Sequence, residues 1–116
     1  MPHNPQALEL LSPAKNADIG IEAFRHGADA VYIGGPSFGA RSAAGNSLED
    51  ISRLCETAHR FRGRVMMTLN TILRDEEIDP AAKLAWDAWN AGVDALIVQD
   101  MGLLKADLPP IQLHAS

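Results

Sequence analysis

Cysteine is almost absent from this chain, and the absence sets the first limits. Cys55 is the single cysteine among 116 residues, so neither an internal disulfide nor a cysteine metal cage can form within it. Long apolar runs are missing too. None approaches the roughly 20 residues that span a bilayer, and the start, MPHNPQALEL, lacks the basic and apolar regions of a secretory signal. The expectation is a soluble cytoplasmic protein with no membrane partner. Basic residues are in deficit, 10 against 15 acidic, for a net charge of −5. Phosphate contacts need a basic footprint, so the chain by itself is not a general nucleic-acid binder, although a local basic spot on a larger molecule is compatible with it. Three signatures of chemistry are also missing: G-x-G-x-x-G after the first strand, the H-E-x-x-H zinc pair and the G-x-S-x-G elbow. No hydrolytic mechanism follows from the residues.

What is present is an ordinary globular composition, 47% apolar and 22% charged, sufficient for one modest domain. Short apolar runs alternate with amphipathic stretches. Strands are predicted at 8–14, 30–35, 64–70 and 95–100, and a fifth at IQLHAS after Pro109-Pro110. NADIGIEAFRHG reads as a helix with Ile19, Ala23 and Phe24 on one face. SLEDISRLCETAHRF reads as another, capped by Ser47 and burying Leu48, Ile51, Leu54, Cys55 and Ala58. Asp79-Pro80 predicts an N-cap and first turn for a helix that turns Leu84, Ala85, Ala88 and Trp89 inward. The run at 74–77, RDEE, reads as a solvated loop, and a short helical turn is predicted around Gly102–Lys105.

Two passages are near copies: GADAVYI (27–33) and GVDALIV (92–98). In each, glycine ends a helix in a left-handed conformation and aspartate turns the chain into a strand. Strands apolar on both faces and alternating with helices predict an α/β fold of parallel βα repeats. Two architectures fit, an open doubly wound sheet and the start of a (β/α)₈ barrel. The missing dinucleotide fingerprint favours the second. The expectation is the N-terminal part of a TIM-like barrel truncated after about five strands, one partial domain over 1–116. Its exposed sheet edge predicts self-association.

In either architecture ligands collect at the carboxyl ends of the strands. That rule selects Ser12 and Lys15 after the first strand and Gly34, Gly35 and Arg41 after the second. It adds Asn70 after the third, Gln99 and Asp100 after the fourth, and His114 on the fifth. Arg41 is the sharpest of these. A guanidinium on a glycine-rich loop either forks onto a carboxylate or phosphate or pairs with a loop carbonyl or acid. Gly34 and Gly35 either admit a ligand to the backbone or allow positive φ in a turn. Asp100 reads equally as a metal or acid/base group and as a turn residue. His59, near a helix C-terminus, and Cys55, on an apolar face, read as structural.

ELLSPA, HGADAVYIGG, FGAR, TLNTIL and GVDALIVQDMG followed by PPIQLHAS resemble the collagenase-like peptidase family (family U, number thirty-two in the peptidase classification). The resemblance runs from about Leu8 to Ser116. YIGGPSFGAR, NSLEDI and TLNTIL are most similar to the branch that hydroxylates a cytidine in 23S ribosomal RNA. The resemblance implies a barrel-like first domain, and an iron–sulfur cluster held by cysteines that have no counterpart here. It also implies ribosomal RNA as partner and a link to the dicarboxylate prephenate, which Arg41 would suit. On that reading this chain alone is inactive. A peptidase, as the family is named, and a non-catalytic α/β binding module are the competing readings. Many relatives carry an aromatic residue at the position of Ser47, so this chain departs from them there.

Overall fold

The computed structural model describes residues 9–36, 45–69 and 75–115. Strands β1 (Leu11–Ala14), β2 (Ala30–Gly34), β3 (Arg64–Leu69), β4 (Ala95–Val98) and β5 (Gln112–Ala115) alternate with helices α1 (Ala17–Arg25), α2 (Leu48–Arg60) and α3 (Ile78–Ala91). All four pairings are parallel, and the order in space is the order in the chain. A doubly wound sheet reverses its order at a switch point. These five strands contain no reversal, which removes that alternative for the described sheet.

Register sorts the strand residues into two faces. Val31, Ile33, Val65, Met67, Leu96 and Val98 pack against helix residues such as Phe24, Ile51, Leu54 and Ala85 in the main core. The opposite face carries a smaller cluster of Ala30, Met66 and Ala95 with Tyr32 and Ile97, to which no helix residue contributes. This two-sided burial is why the strands read as continuous apolar runs.

Local chemistry accounts for the helix starts. Asn16 Oδ1 accepts the Ile19 amide at 2.9 Å to open α1, and Ser47 Oγ accepts the Asp50 amide at 3.1 Å to open α2. Ile51, Leu54, Cys55 and Ala58 form the buried stripe of α2, as the periodicity predicts. On α1 the buried face is Ala17, Gly20 and Phe24, while Ile19, expected inside, is 46% exposed. A Cβ on Gly20 would come within 2.8 Å of a Leu54 methyl, so the two helices meet at the glycine and Ile19 turns outward.

The start of α3 also departs from expectation. A 3₁₀ turn at Asp75–Glu77 winds directly into the helix, which begins at Ile78, so part of the expected loop at 74–77 is helical and residue 74 lies outside the described residues. Asp79 and Pro80 therefore lie within the first turn, where a missing N–H breaks no helical bond. Trp89, expected inside, is 40% exposed. The alanine stripe Ala81, Ala85 and Ala88 lies against the sheet and leaves no room for an indole. The short turn after β4 forms at Met101–Lys105.

The two near-copies have the same structure. Gly27 and Gly92 take φ of 100° and 105° at the ends of α1 and α3. Two residues on, Asp29 Oδ2 accepts the Leu10 amide at 2.7 Å, and the Asp29 amide donates to the Leu10 carbonyl at 2.8 Å. Asp94 repeats the pattern on Val65, with 2.8 Å for each bond. Each aspartate thus holds both backbone groups of one residue at the start of the preceding strand, Leu10 directly before β1 and Val65 within β3. At the joint between α2 and β3 no aspartate occupies this place; Arg62 takes φ of 61°, and the Arg64 amide donates to the Asp29 carbonyl at 3.1 Å.

Replacing Asp94 by alanine leaves the part-buried Val65 amide without its acceptor, and a lost charge-assisted bond of this kind is worth about 2 kcal/mol. Asp94→Ala should lower the urea midpoint accordingly. Asp94→Asn, which keeps an acceptor oxygen, should lower it less.

Candidate functional site at the carboxyl rim

The carboxyl ends of the strands lie along one rim, and the register shows which residues meet there. Gly34, Thr68, Ile97 and His114 sit side by side in one row across β2 to β5, on the face that none of the described helices covers. His114 therefore points to the open face, as alternation from Leu113 predicts. The same face forms a groove of about 390 Å³ lined by Glu9, Leu11, Arg64, Met66, Ile97, His114 and Ala115. A flat sheet would not bring Leu11 of β1 and Ala115 of β5 into one hollow, so the open face is concave. Arg64 pairs with Glu9 at 2.6 Å beside the groove.

The other predicted rim residues are placed as follows. Ser12 is half-buried on β1, its hydroxyl 3.4 Å from the Pro13 carbonyl. Lys15 and Gln99 are exposed, and neither lines the groove. Asp100 accepts the Gly102 amide at 2.8 Å and caps the short turn after β4, which is its structural reading. Neither Gly34 nor Gly35 has positive φ, so the turn explanation fails for both; at Gly35 a packing one takes its place, while a Cβ on Gly34 would meet, among the described residues, only Thr68 Oγ1 at 3.9 Å. A Cβ on Gly35 would lie 2.8 Å from the Met67 sulfur, and the Gly35 amide reaches the Thr68 carbonyl at 3.5 Å. Arg41 and Asn70 lie outside the described residues.

One rim residue was not selected from the sequence. Asn46 Nδ2 donates to the Gly34 carbonyl at 3.0 Å and to the Lys15 carbonyl at 3.2 Å, joining the ends of β1 and β2. Its only sequence signal was an asparagine directly before the N-cap Ser47, a place where capping itself does not require one.

At the opposite end of the strands Cys55, His59 and Asp94 adjoin one another. His59 Nε2 lies 3.0 Å from Asp94 Oδ2, and Cys55 is one helical turn before His59. A thiol, an imidazole and a carboxylate suggest a nucleophilic triad, but the environment argues otherwise. Cys55 is 1% exposed, and burial, reinforced by the Asp94 charge, pushes its thiol up from 9.0 to about 12. A neutral, buried thiol is neither a nucleophile nor a metal ligand. The pair of His59 and Asp94 is part of the strand clamp.

The pattern of Peptidase family U32 matches residues 15–116. The chain belongs to that family. Over 109 residues, 94% of its length, this U32 chain is 62% identical to the 23S rRNA 5-hydroxycytidine C2501 synthase of Escherichia coli, of which it covers 17%. It is 32% identical to the tRNA hydroxylation protein P1 of Bacillus subtilis, over 93% of the chain and 26% of that protein. Against the Collagenase of Porphyromonas gingivalis the identity is 28%, over 97% of the chain and 28% of that protein. The U32 chain thus spans 17% to 28% of the length of these relatives. Among the described residues no helix is long and apolar enough to cross a membrane, and no group of three or more His, Cys, Asp or Glu is placed to hold a metal.

The raised Cys55 thiol has a definite pH signature. Its folded value exceeds the unfolded one, so its contribution is complete below pH 9.0 and is lost as pH rises toward about 12. Relative to Cys55→Ala, the wild-type chain should lose roughly 1.4 kcal/mol per pH unit above that point, measured as urea midpoints at successive pH values.

Proposed function

We propose that this U32 chain is the N-terminal part of an RNA hydroxylase that forms 5-hydroxycytidine in 23S ribosomal RNA with the help of an anionic, prephenate-type co-substrate. The observation that carries the reading is the 62% identity to the Escherichia coli synthase along 94% of the chain, against 28% to the Collagenase. The reading places the protein in the cytoplasm, where ribosomal RNA is made.

Sequential parallel order, a single face covered by helices and a concave open face support the view that these strands are the first five of a (β/α)₈ barrel. On that view the row Gly34, Thr68, Ile97 and His114 lies at the mouth where barrels do their chemistry. Arg41, in the stretch that leaves β2 at this rim, is the proposed holder of the dicarboxylate, because a guanidinium fork matches a carboxylate with two parallel bonds. The iron–sulfur cluster that the resemblance implies does not fit Cys55, whose thiol is buried and neutral. Cysteines for it would have to come from elsewhere in the longer protein. Exposed Leu10 and Leu11 on the β1 edge are the surfaces through which the isolated chain would self-associate.

Deleting the parent gene in its host and measuring 5-hydroxycytidine in ribosomal RNA by nucleoside mass spectrometry tests this reading. Loss on deletion, return with the wild-type gene and a level reduced about tenfold or more with Arg41→Ala are expected. An unchanged modification level in the deletion strain would remove the hydroxylase reading, and peptide hydrolysis would become the activity to assay.

A further inference from the structure

We infer that the space over Gly34, at the end of β2, is the seat of an uncharged planar ring. On the hydroxylase reading, on which this inference rests, that ring is the target base of the RNA. Glycine weakens a strand, and inside one it marks a positive φ, a bulge or a close approach. The first two do not apply. Gly34 pairs with Thr68 in a register unbroken from Ala30 onward, and its φ is not positive. Packing does not require glycine either. A Cβ there would meet, among the described residues, only Thr68 Oγ1 at 3.9 Å, an ordinary contact. At Gly20 and Gly35, by contrast, a Cβ would come within 2.8 Å of a Leu54 methyl and of the Met67 sulfur. Close approach by something other than these residues is what remains for Gly34.

The surroundings select the ligand class. Thr68, Ile97 and His114 continue the row from Gly34 across the open face. Tyr32, two residues earlier on β2, shares that face and packs on Ala30, Met66 and Ala95. The Tyr32 phenol, the Thr68 hydroxyl and the His114 ring have no hydrogen-bond partner among the described residues. Hydroxyls and a neutral imidazole can each donate and accept. The row itself contains no lysine, arginine, aspartate or glutamate. Arg64 and Glu9 lie at the opposite ends of the strands and are paired with each other. A phosphate would therefore find no cation in this row. A flat ring with donors and acceptors on its edge would find an aromatic surface, an aliphatic one at Ile97 and hydroxyls within the same face. Those are the groups with which proteins hold a base taken out of its stack.

Stability and binding should respond to the same substitution in opposite directions, which separates a ligand seat from a structural glycine. In the full-length holoprotein Gly34→Ala should leave the melting temperature unchanged or raise it, because alanine suits a strand and narrows the unfolded ensemble. Binding is read with synthetic RNA hairpins of the 23S target segment, carrying either cytidine or an abasic nucleotide at the target position. Gly34→Ala should weaken the cytidine hairpin about tenfold and leave the abasic one unchanged. Thr68→Val should weaken the cytidine hairpin as well, and Thr68→Ser, which keeps the hydroxyl, should restore it. Equal weakening of both hairpins by Gly34→Ala would place the RNA backbone over Gly34 and overturn the inference. A lowered melting temperature or a misfolded Gly34→Ala would overturn it too, since the protein's own atoms would then fill the space. Failure of the parent reading looks different. If deleting the gene leaves 5-hydroxycytidine unchanged, the hydroxylase reading falls; if wild type and Gly34→Ala restore the modification equally, only the seat at Gly34 falls.

Discussion

The two-bond ring that each aspartate makes with a residue at the start of the preceding strand is the constraint on which the rest of the structure depends. Parallel strands have no hairpin turn to set their register, because a crossover helix intervenes. A slip of one residue would exchange the two faces of a strand and move Val65 and Met67 out of the helix-packed core. Asp29 holds Leu10 and Asp94 holds Val65 by both backbone groups, which leaves one register available to each pair. The row at the carboxyl rim is the far end of that alignment. Its position is decided at the bottom of the sheet.

This division places the stabilising contacts and the candidate site at opposite ends of the strands. The bottom holds the left-handed glycines, the aspartate clamps, the pair of His59 and Asp94 and the neutral thiol of Cys55. The rim holds half-buried polar groups and the amide bridge of Asn46, and the groove on the open face runs from His114 down to Leu11 and Arg64 at the strand starts. Barrel enzymes show the same polarity. It also explains how a triad-like grouping arises without nucleophilic chemistry: the three residues meet because the clamp brings α2 beside the start of β4.

How far the sequence could be read depended on the range of the interaction. The Gly-x-Asp joints were legible because a positive φ and the turn that follows it are local events. The stripe of α2 was legible because a 3.6-residue period needs no knowledge of its neighbours. Ile19 and Trp89 were misplaced because their burial depends on how closely helix and partner approach, and small residues, Gly20 and the alanines of α3, set that distance. Gly35 is required by the sulfur of Met67 on an adjacent strand, which no local pattern reveals. Asn46 was passed over for the same reason, since its acceptors are backbone carbonyls remote in sequence and identical in every residue. Of the rim candidates, His114 is aligned with the row by simple alternation, whereas Asp100 is taken up by its own turn.

Amide hydrogen exchange at Val65 tests the central claim most directly, because that N–H is the one the Asp94 carboxylate holds. In the wild-type chain the Val65 amide is expected among the slowest, exchanging only when the whole sheet opens. In Asp94→Ala it should exchange by local opening, faster than Met67 on the same strand. If Val65 stays in the slowest class after the substitution, the aspartate clamps do not set the alignment of the sheet and the account built on them fails.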